Sequence, residues 1–224
     1  MNFAFENILK MNKQIADIRK DYIKQTLLEK DVDHDPFIQF NKWWDEAIKS
    51  ELDEINAITL ATATLNGVPS ARIVLLKSVS EHGFVFFTNY NSQKGKELLE
   101  NPKAALVFFW KELERQIRIS GKVEKVSSGE SDEYFASRPA GSRIGAWASP
   151  QSSVIISREI IEENTIKFGQ KFEGGNIPRP PHWGGYIVIP TVFEFWQGRP
   201  NRLHDRFQYT LNGEGGWNTE RLAP

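Results

Sequence analysis

The spacing of apolar positions divides the chain into a helical start and a long strand-rich remainder. Ile8, Met11, Ile15, Ile18 and Tyr22 recur at intervals of three and four, which predicts an amphipathic helix. Asp35-Pro36 opens a second helix, with Asp35 as N-cap and Pro36 at the first helical position; it carries Phe37, Phe40, Trp44 and Ile48. From Ala57 the residues turn β-branched. Ala57 to Leu65 predicts a strand, Asn66-Gly67 a hairpin turn, and Val68 to Val79 the returning strand. Phe84 to Asn89 follows a turn at Glu81-His82-Gly83, and a short helix after Ser92 stops near Asn101-Pro102. Lys103 to Trp110 and Glu114 to Val126 read as strands, the second alternating Ile117, Ile119, Gly121 and Val123 against polar neighbours.

Tyr134 to Arg138 predicts a short helix ended by Pro139, because the residue before proline is pushed out of the α region. Ser157 caps a longer helix to about Phe172. Glu173 to Gly185, with three prolines and several glycines, reads as a loop. Four strands follow: Tyr186 to Ile189, Val192 to Gln197, Arg202 to Leu211 and Trp217 to Leu222. Many strands with short connections and peripheral helices predict an α+β fold built on an antiparallel barrel. No internal repeat appears. With no GxGxxG after a strand and no P-loop, Rossmann and Walker-type nucleotide binding are disfavoured.

Composition narrows the chemistry. A chain of 224 residues fits one sizeable domain or at most two small ones, with room for a real core. It has no cysteine, which excludes disulfides, thiolate nucleophiles and Cys-ligated metals and is compatible with a cytoplasmic location. The longest clear apolar run, Ala104 to Trp110, is far short of a membrane span, and the N-terminus lacks a signal-peptide pattern. A net charge of −1 argues against coating nucleic acid or a membrane by bulk electrostatics. Residues 1–56 carry net −4 and the remainder +3, and acids vanish from Ala57 to Ser80 and from Tyr134 to Arg158. Such pockets of positive charge point to small anionic ligands, or else to arginines paired with distant carboxylates.

Four histidines lie at no metal-ligand spacing, and HExxH and GxSxG are absent, so a histidine-built zinc site and a serine triad lack support. His34 and His82 sit in polar turns. On a strand, Arg202, His204 and Arg206 would share one face, lowering the tendency of His204 to protonate and suiting an anion or an electron-rich ring. A merely basic exposed face is the plainer reading of those three alone. Arg72 and Lys77, five apart, point to opposite faces of a regular strand. Tyr134 and Arg138, one helical turn apart, make a phosphate clamp, or else packing and a solvated cation. Gln151-Ser152-Ser153 is a turn rich in donors, and Trp196, unlike most of the aromatic residues, stands close to the Arg202 segment.

In order, RIVLLK at Arg72–Lys77, FFTN at Phe86–Asn89, SRPAGSRIGAWAS with PQSS at Ser137–Ser153, EFWQG followed by RLHDRF, and the ending RLAP form one set. Together they resemble the pyridoxine (pyridoxamine) 5′-phosphate oxidase family, from about Ile15 to Pro224. The resemblance implies a homodimeric FMN enzyme with an FMN-binding split β-barrel, its flavin at the subunit interface. The implied reaction oxidises pyridoxine or pyridoxamine 5′-phosphate to pyridoxal 5′-phosphate with oxygen, giving hydrogen peroxide. It further implies an N-terminal helical segment over 1–56, partly mobile and covering the substrate, ahead of the barrel domain over 57–224.

By the same resemblance, Arg72, Ile73, Val74, Leu75, Leu76, Lys77, Phe87, Thr88, Lys94, Gln116, Gln151, Ser152, Trp196 and Arg206 match FMN-contacting positions. Lys77, Tyr134, Arg138 and Ser142 match those holding the substrate phosphate. Arg202 and His204, with Leu203 between them, match the catalytic pair at the substrate ring, and Arg19, Lys20, Asp21 and Tyr22 the element covering it. Two residues depart from the family pattern. Gln93 stands where arginine is frequent beside the FMN phosphate, removing a charge-assisted contact, and Phe87 where tyrosine is frequent. The rival readings are a related phenazine-biosynthesis oxidase, a non-catalytic carrier of FMN or pyridoxal phosphate, and, remotely, a single-strand nucleic-acid barrel.

Overall fold

A computed structural model describes Met11, Ile15, Asp17 and residues 21–224. Helix α1, Pro36–Lys49, starts where Asp35 caps it by accepting the Phe37 N–H at 2.7 Å, and it buries Phe40, Trp43 and Ala47. Strands β1, Ala57–Ala63, and β2, Pro69–Leu75, form the predicted hairpin, with Gly67 at φ +81° where a side chain would be strained. Then come β3, Ser78–Ser80, β4, Gly83–Asn89, and helix α2, Gln93–Glu100. Strands β5, Lys103–Trp110, and β6, Arg115–Lys125, precede three helices: α3, Ser128–Ser137, α4, Ala140–Ala148, and α5, Glu159–Lys171. Strands β7, Trp183–Gln197, β8, Asp205–Leu211, and β9, Trp217–Leu222, complete one antiparallel sheet.

The sheet runs β2-β1-β5-β6-β7-β4-β3, with β8 and β9 branching from β7. Its two end strands, β2 and β3, are consecutive in the chain, so the sheet has to curl back on itself. The corner lies at Leu76-Lys77: Leu76 N–H donates to Asn56 O at 2.8 Å, and Lys77 N–H to Val85 O at 2.8 Å. The expected single strand from Val68 to Val79 is therefore broken where it changes partners. Inside the curl, Phe84, Phe108, Phe193 and Phe195 pack with Leu60, Leu106, Ile117 and Ile119. Phe40 of α1 meets Phe84 edge-on at 4.9 Å and so packs the helix onto this core.

Several expectations are corrected. Strand β7 is one strand of 15 residues, not two. It passes Pro190 through a bulge: Ser120 pairs with Val192 and Gly121 with Pro190, leaving Thr191 as the extra residue. Gly121 is required there, since a Cβ would meet Ile189 O at 2.0 Å. Strand β7 also starts earlier, at Trp183, because the Gly184-Gly185 pair serves close packing and not a loop; Cβ atoms would meet the Tyr90 hydroxyl at 2.2 Å and the Phe87 ring at 2.7 Å. Helix α3 starts at Ser128, capped by Ser127 accepting the Glu130 N–H at 3.1 Å, and α4 was not expected from AGSRIGAWA. Helix α5 starts at Glu159, two residues after Ser157.

Arg202 and His204 are not strand residues. Pro200–Arg202 is a 3-10 turn with Asn201 at φ 55° and Arg202 at φ 61°, so the alternation that would align Arg202, His204 and Arg206 does not apply. Of the first predicted helix, Met11, Ile15 and Asp17 are helical, Ile8 and Ile18 lie outside the described residues, and Tyr22 is irregular. Among the described residues no helix is long and apolar enough to cross a membrane, and no cluster of His, Asp or Glu could hold a metal.

Candidate active site

One cleft, about 870 Å³, gathers most of the expected residues. Its floor is β2 and the corner after it, presenting Arg72, Ile73, Val74, Leu75 and Lys77. One wall is aromatic: Phe87 stacks on Tyr134 at 4.0 Å and on Trp183 at 5.5 Å, with the three rings nearly parallel. Arg138 lies over Trp183 at 4.7 Å, and Lys77 Nζ is 5.9 Å from the Tyr134 ring. Arg138 reaches the cleft from beyond the end of α3, in extended backbone forced by Pro139, so it does not share a helical face with Tyr134. Ser142 on α4 completes that side.

Among the described residues no aspartate or glutamate lines the cleft, whereas Arg72, Lys77, Lys94 and Arg138 do. Burial lowers the pKa of Arg138, and its Nη1, like Arg143 Nε, is buried without a hydrogen-bond partner among the described residues. A guanidinium desolvated and unpaired in this way is a site prepared for an anion. Arg72 is held differently. Its Nη1 donates to Leu60 O at 3.3 Å and to Thr62 Oγ1, and its Nη2 to Ser70 Oγ and, at 3.3 Å, to Glu97 Oε2. Burial pushes the Glu97 carboxyl up, but hydrogen bonds from Ser70, Thr62 and Gln93 and the charge of Arg72 outweigh it and hold the group at about 2.

Lys94 stands in the first turn of α2, whose N-cap Ser92 accepts the Gly95 N–H at 3.3 Å. Burial first and the Arg72 charge second lower its pKa. Lys94 Nζ and Thr88 Oγ1 both reach Gln151 Oε1, at 3.3 and 3.4 Å, and Ser152 beside it takes φ 68°. A helix N-terminus, two cations and several hydroxyl and amide donors are the ingredients of a phosphate site. The planar stack beside them suits a flat ring. The residues present therefore fit a phosphorylated, planar cofactor such as FMN.

A second group lies apart. Trp196 and His204 pack at 4.5 Å, and Tyr22 meets them edge-on at 5.7 and 6.0 Å. Gln116 is the β6 register partner of Trp196, and Arg206 its β8 partner. Arg206 Nε is paired with Glu194 at 3.0 Å. Arg199 N–H donates to His204 Nδ1 at 3.1 Å, which leaves Nε2 to carry the proton of the neutral ring. Burial and, second, the Arg202 charge lower the His204 pKa against the opposing pull of Asp205, so the expected direction holds with burial as the larger cause. Arg202 and Leu203 are exposed on the turn. None of Gln116, Trp196, Arg202, Leu203, His204 or Arg206 lines the cleft.

The remaining expected positions do not join either group. Leu76 turns into the barrel core, so only its backbone faces outward. Gln93 Nε2 donates to Glu97 Oε1 at 2.9 Å and does not line the cleft. Arg19 and Lys20 lie outside the described residues, and Asp21 is exposed. Trp183 escaped the sequence reading because it sat in an expected loop; an aromatic residue just ahead of a glycine pair was the available signal.

Comparison with known proteins gives this arrangement a class. The crystal structure of PhzG from Burkholderia lata 383, in complex with tetrahydrophenazine-1-carboxylic acid, matches with TM-score 0.83 and 31% identity over 89% of this chain and 98% of that one. A pyridoxamine 5′-phosphate oxidase-related, FMN binding protein from Nostoc punctiforme shares the fold at TM-score 0.68 and 18% identity, covering 86% of this chain and 100% of that one. The fold is that of the FMN-binding split barrels. Residues 44–170 match the family model described as pyridoxamine 5′-phosphate oxidase, and residues 183–224 that of the pyridoxine 5′-phosphate oxidase C-terminal dimerisation region. A pyridoxine/pyridoxamine 5′-phosphate oxidase of a Nostoc species is 60% identical over 96% of this chain and 100% of its own length; one from Cupriavidus necator is 56% identical over 94% and 99%. The chain belongs to the pyridoxine/pyridoxamine 5′-phosphate oxidase family, a family of enzymes, and its dimerisation region supports a homodimer.

Proposed function

We propose that the protein oxidises pyridoxine 5′-phosphate and pyridoxamine 5′-phosphate to pyridoxal 5′-phosphate, as a cytoplasmic FMN-dependent homodimer. Oxygen takes up the two electrons and two protons as hydrogen peroxide; the amine substrate also consumes water and releases ammonia. The observation that carries this reading is a cleft lined by cations and, among the described residues, by no carboxylate, in which Arg138, its Nη1 buried without a partner among those residues, lies against the Phe87–Tyr134–Trp183 stack.

Lys77, Tyr134, Arg138 and Ser142 would hold the substrate phosphate. Arg72, Thr88, Lys94, Gln151 and Ser152 would hold that of FMN, with the exposed edge of β2 beside its ring. When bound, FMN would supply a two-electron acceptor for oxidation at the substrate carbon, with oxygen as the final acceptor. The protein's share is orientation and exclusion of water. Gln116, Trp196, Arg206, Arg202 and His204 lie away from their own chain's cleft, and a second copy would bring them to it. His204, neutral near pH 7, would then offer its Nε2 proton to the substrate ring beside the Arg202 cation.

The test is an anaerobic titration of FMN-loaded protein with pyridoxine 5′-phosphate, followed by visible flavin absorbance. Bleaching that reverses when air enters is expected. Flavin that binds yet stays oxidised would refute the substrate assignment and favour an oxidase of another ring, as PhzG is, or a carrier.

A further inference from the structure

Residues 22–27 have no regular secondary structure, yet this strap is tied to the barrel repeatedly. Lys24 N–H donates to Glu114 Oε2 at 3.0 Å, and Gln25 Oε1 accepts from Arg115 Nη2. Leu27 N–H donates to Asp205 Oδ2 at 3.1 Å, while Leu27 O accepts from Arg221 Nη2 at 3.1 Å. Asp205 also receives Arg199 Nη1 on Oδ2 at 2.9 Å and Arg221 Nη1 on Oδ1 at 2.9 Å. Its side chain is only 13% exposed. This carboxylate thus collects one donor from each of three segments: the strap, 178 residues away in sequence, the turn that carries Arg202 and His204, and strand β9.

The geometry beyond Asp205 gives that convergence a purpose. Arg199, held by its side chain on Asp205, is the residue whose backbone N–H fixes His204 Nδ1. Leu27, held by its backbone, anchors the strap whose Tyr22 packs on the His204 and Trp196 rings. Two charge-assisted bonds in a sheltered position are the strong kind, and a short aspartate at the first position of β8 leaves little slack. We propose that Asp205 is a positioning residue that locks the strap, the Arg202–His204 turn and the end of β9 into one unit. The catalytic consequence rests on the reading of Arg202 and His204 as substrate residues; the lock does not.

Amide hydrogen exchange on the full-length FMN-loaded protein tests it. In Asp205→Asn, amides of residues 22–28 and 199–204 should exchange faster together, on the order of tenfold, while those of β5 and β6 stay unchanged. KM for pyridoxine 5′-phosphate should rise by a larger factor than kcat falls. Glu29→Gln, which removes only an exposed partner of Arg221, should leave strap exchange as it is. Acceleration in one segment alone, equal acceleration in the core, no change, or the same effect from Glu29→Gln would each overturn the lock. Faster exchange with unaltered kinetics would keep the lock and refute the substrate roles of Arg202 and His204. Should Asp205→Asn fail to fold, Arg199→Gln must still loosen the strap as well as the turn; an effect confined to the turn would refute the coupling.

Discussion

His204 shows how one side chain's state follows from its surroundings. Its ring packs on Trp196 and Tyr22, it accepts from a backbone N–H, and an arginine stands two residues away; burial first and that arginine second resist a proton against the pull of Asp205. With its folded pKa below the ordinary 6.5, the group contributes stability that is complete above pH 6.5 and lost as pH falls through the lowered folded value. An NMR titration of the imidazole should give a midpoint below 6.5 and a neutral ring protonated at Nε2. Arg202→Leu should move that midpoint upward without restoring it fully, because burial is the larger cause. A midpoint unchanged by Arg202→Leu would show the guanidinium contributing nothing there. Arg138 is the opposite case, a cation offered no compensating carboxylate by the described residues.

Among the elements, α2 and β7 position the most chemistry. Helix α2 sits so close to the chain that a Cβ on Gly95 would meet Tyr90 O at 2.2 Å. Gly95→Ala must push the helix outward, carrying Lys94 away from Gln151. We expect about 1–3 kcal/mol of lost stability from the overpacking and a weaker FMN dissociation constant, read by flavin fluorescence. An unchanged constant would mean that the helix position does not set the phosphate site. Local signals made much of this legible beforehand: Asp35-Pro36, Asn66-Gly67 and Ser92 each act through their own backbone neighbours and read correctly. Non-local causes did not read. Gly184 and Gly185 are strand residues because Tyr90 and Phe87 press against them, and Pro190 is tolerated because a bulge removes the need for its N–H. The left-handed backbone at Asn201 and Arg202 defeated the strand pattern there, and most site residues were recognisable only as an ordered set of motifs.

For the whole molecule, the site residues fall into two groups that one chain does not unite. The cleft group spans β2, β4 and α2 to α4, whereas the Trp196–His204 group lies at the far end of β7 with the turn beyond it. Exposed Ile73 and Leu75 beside the first, and exposed Leu203 beside the second, leave apolar surface to cover in the supported homodimer. Mixing separately inactive chains tests whether the two groups meet across subunits. A 1:1 co-assembly of Arg138→Met with Arg202→Leu should restore about a quarter of wild-type activity, since half the dimers are mixed and each mixed dimer has one intact site. No restoration would place the whole site within one chain.

The bulge at Thr191 acquires meaning at this scale. Before it, the core-facing residues of β7 are even-numbered, Tyr186 and Val188; after it they are odd-numbered, Phe193 and Phe195. That single inserted residue reverses the strand's parity. Trp183 and Trp196 are 13 steps apart on β7 and would point to opposite sides of an unbroken strand. With the reversal, both turn away from the barrel interior, one toward each group of site residues. The strand works as a spacer with a half-turn built in, and its length of roughly 40 Å, together with that phase, sets how the two groups of residues at its ends are oriented.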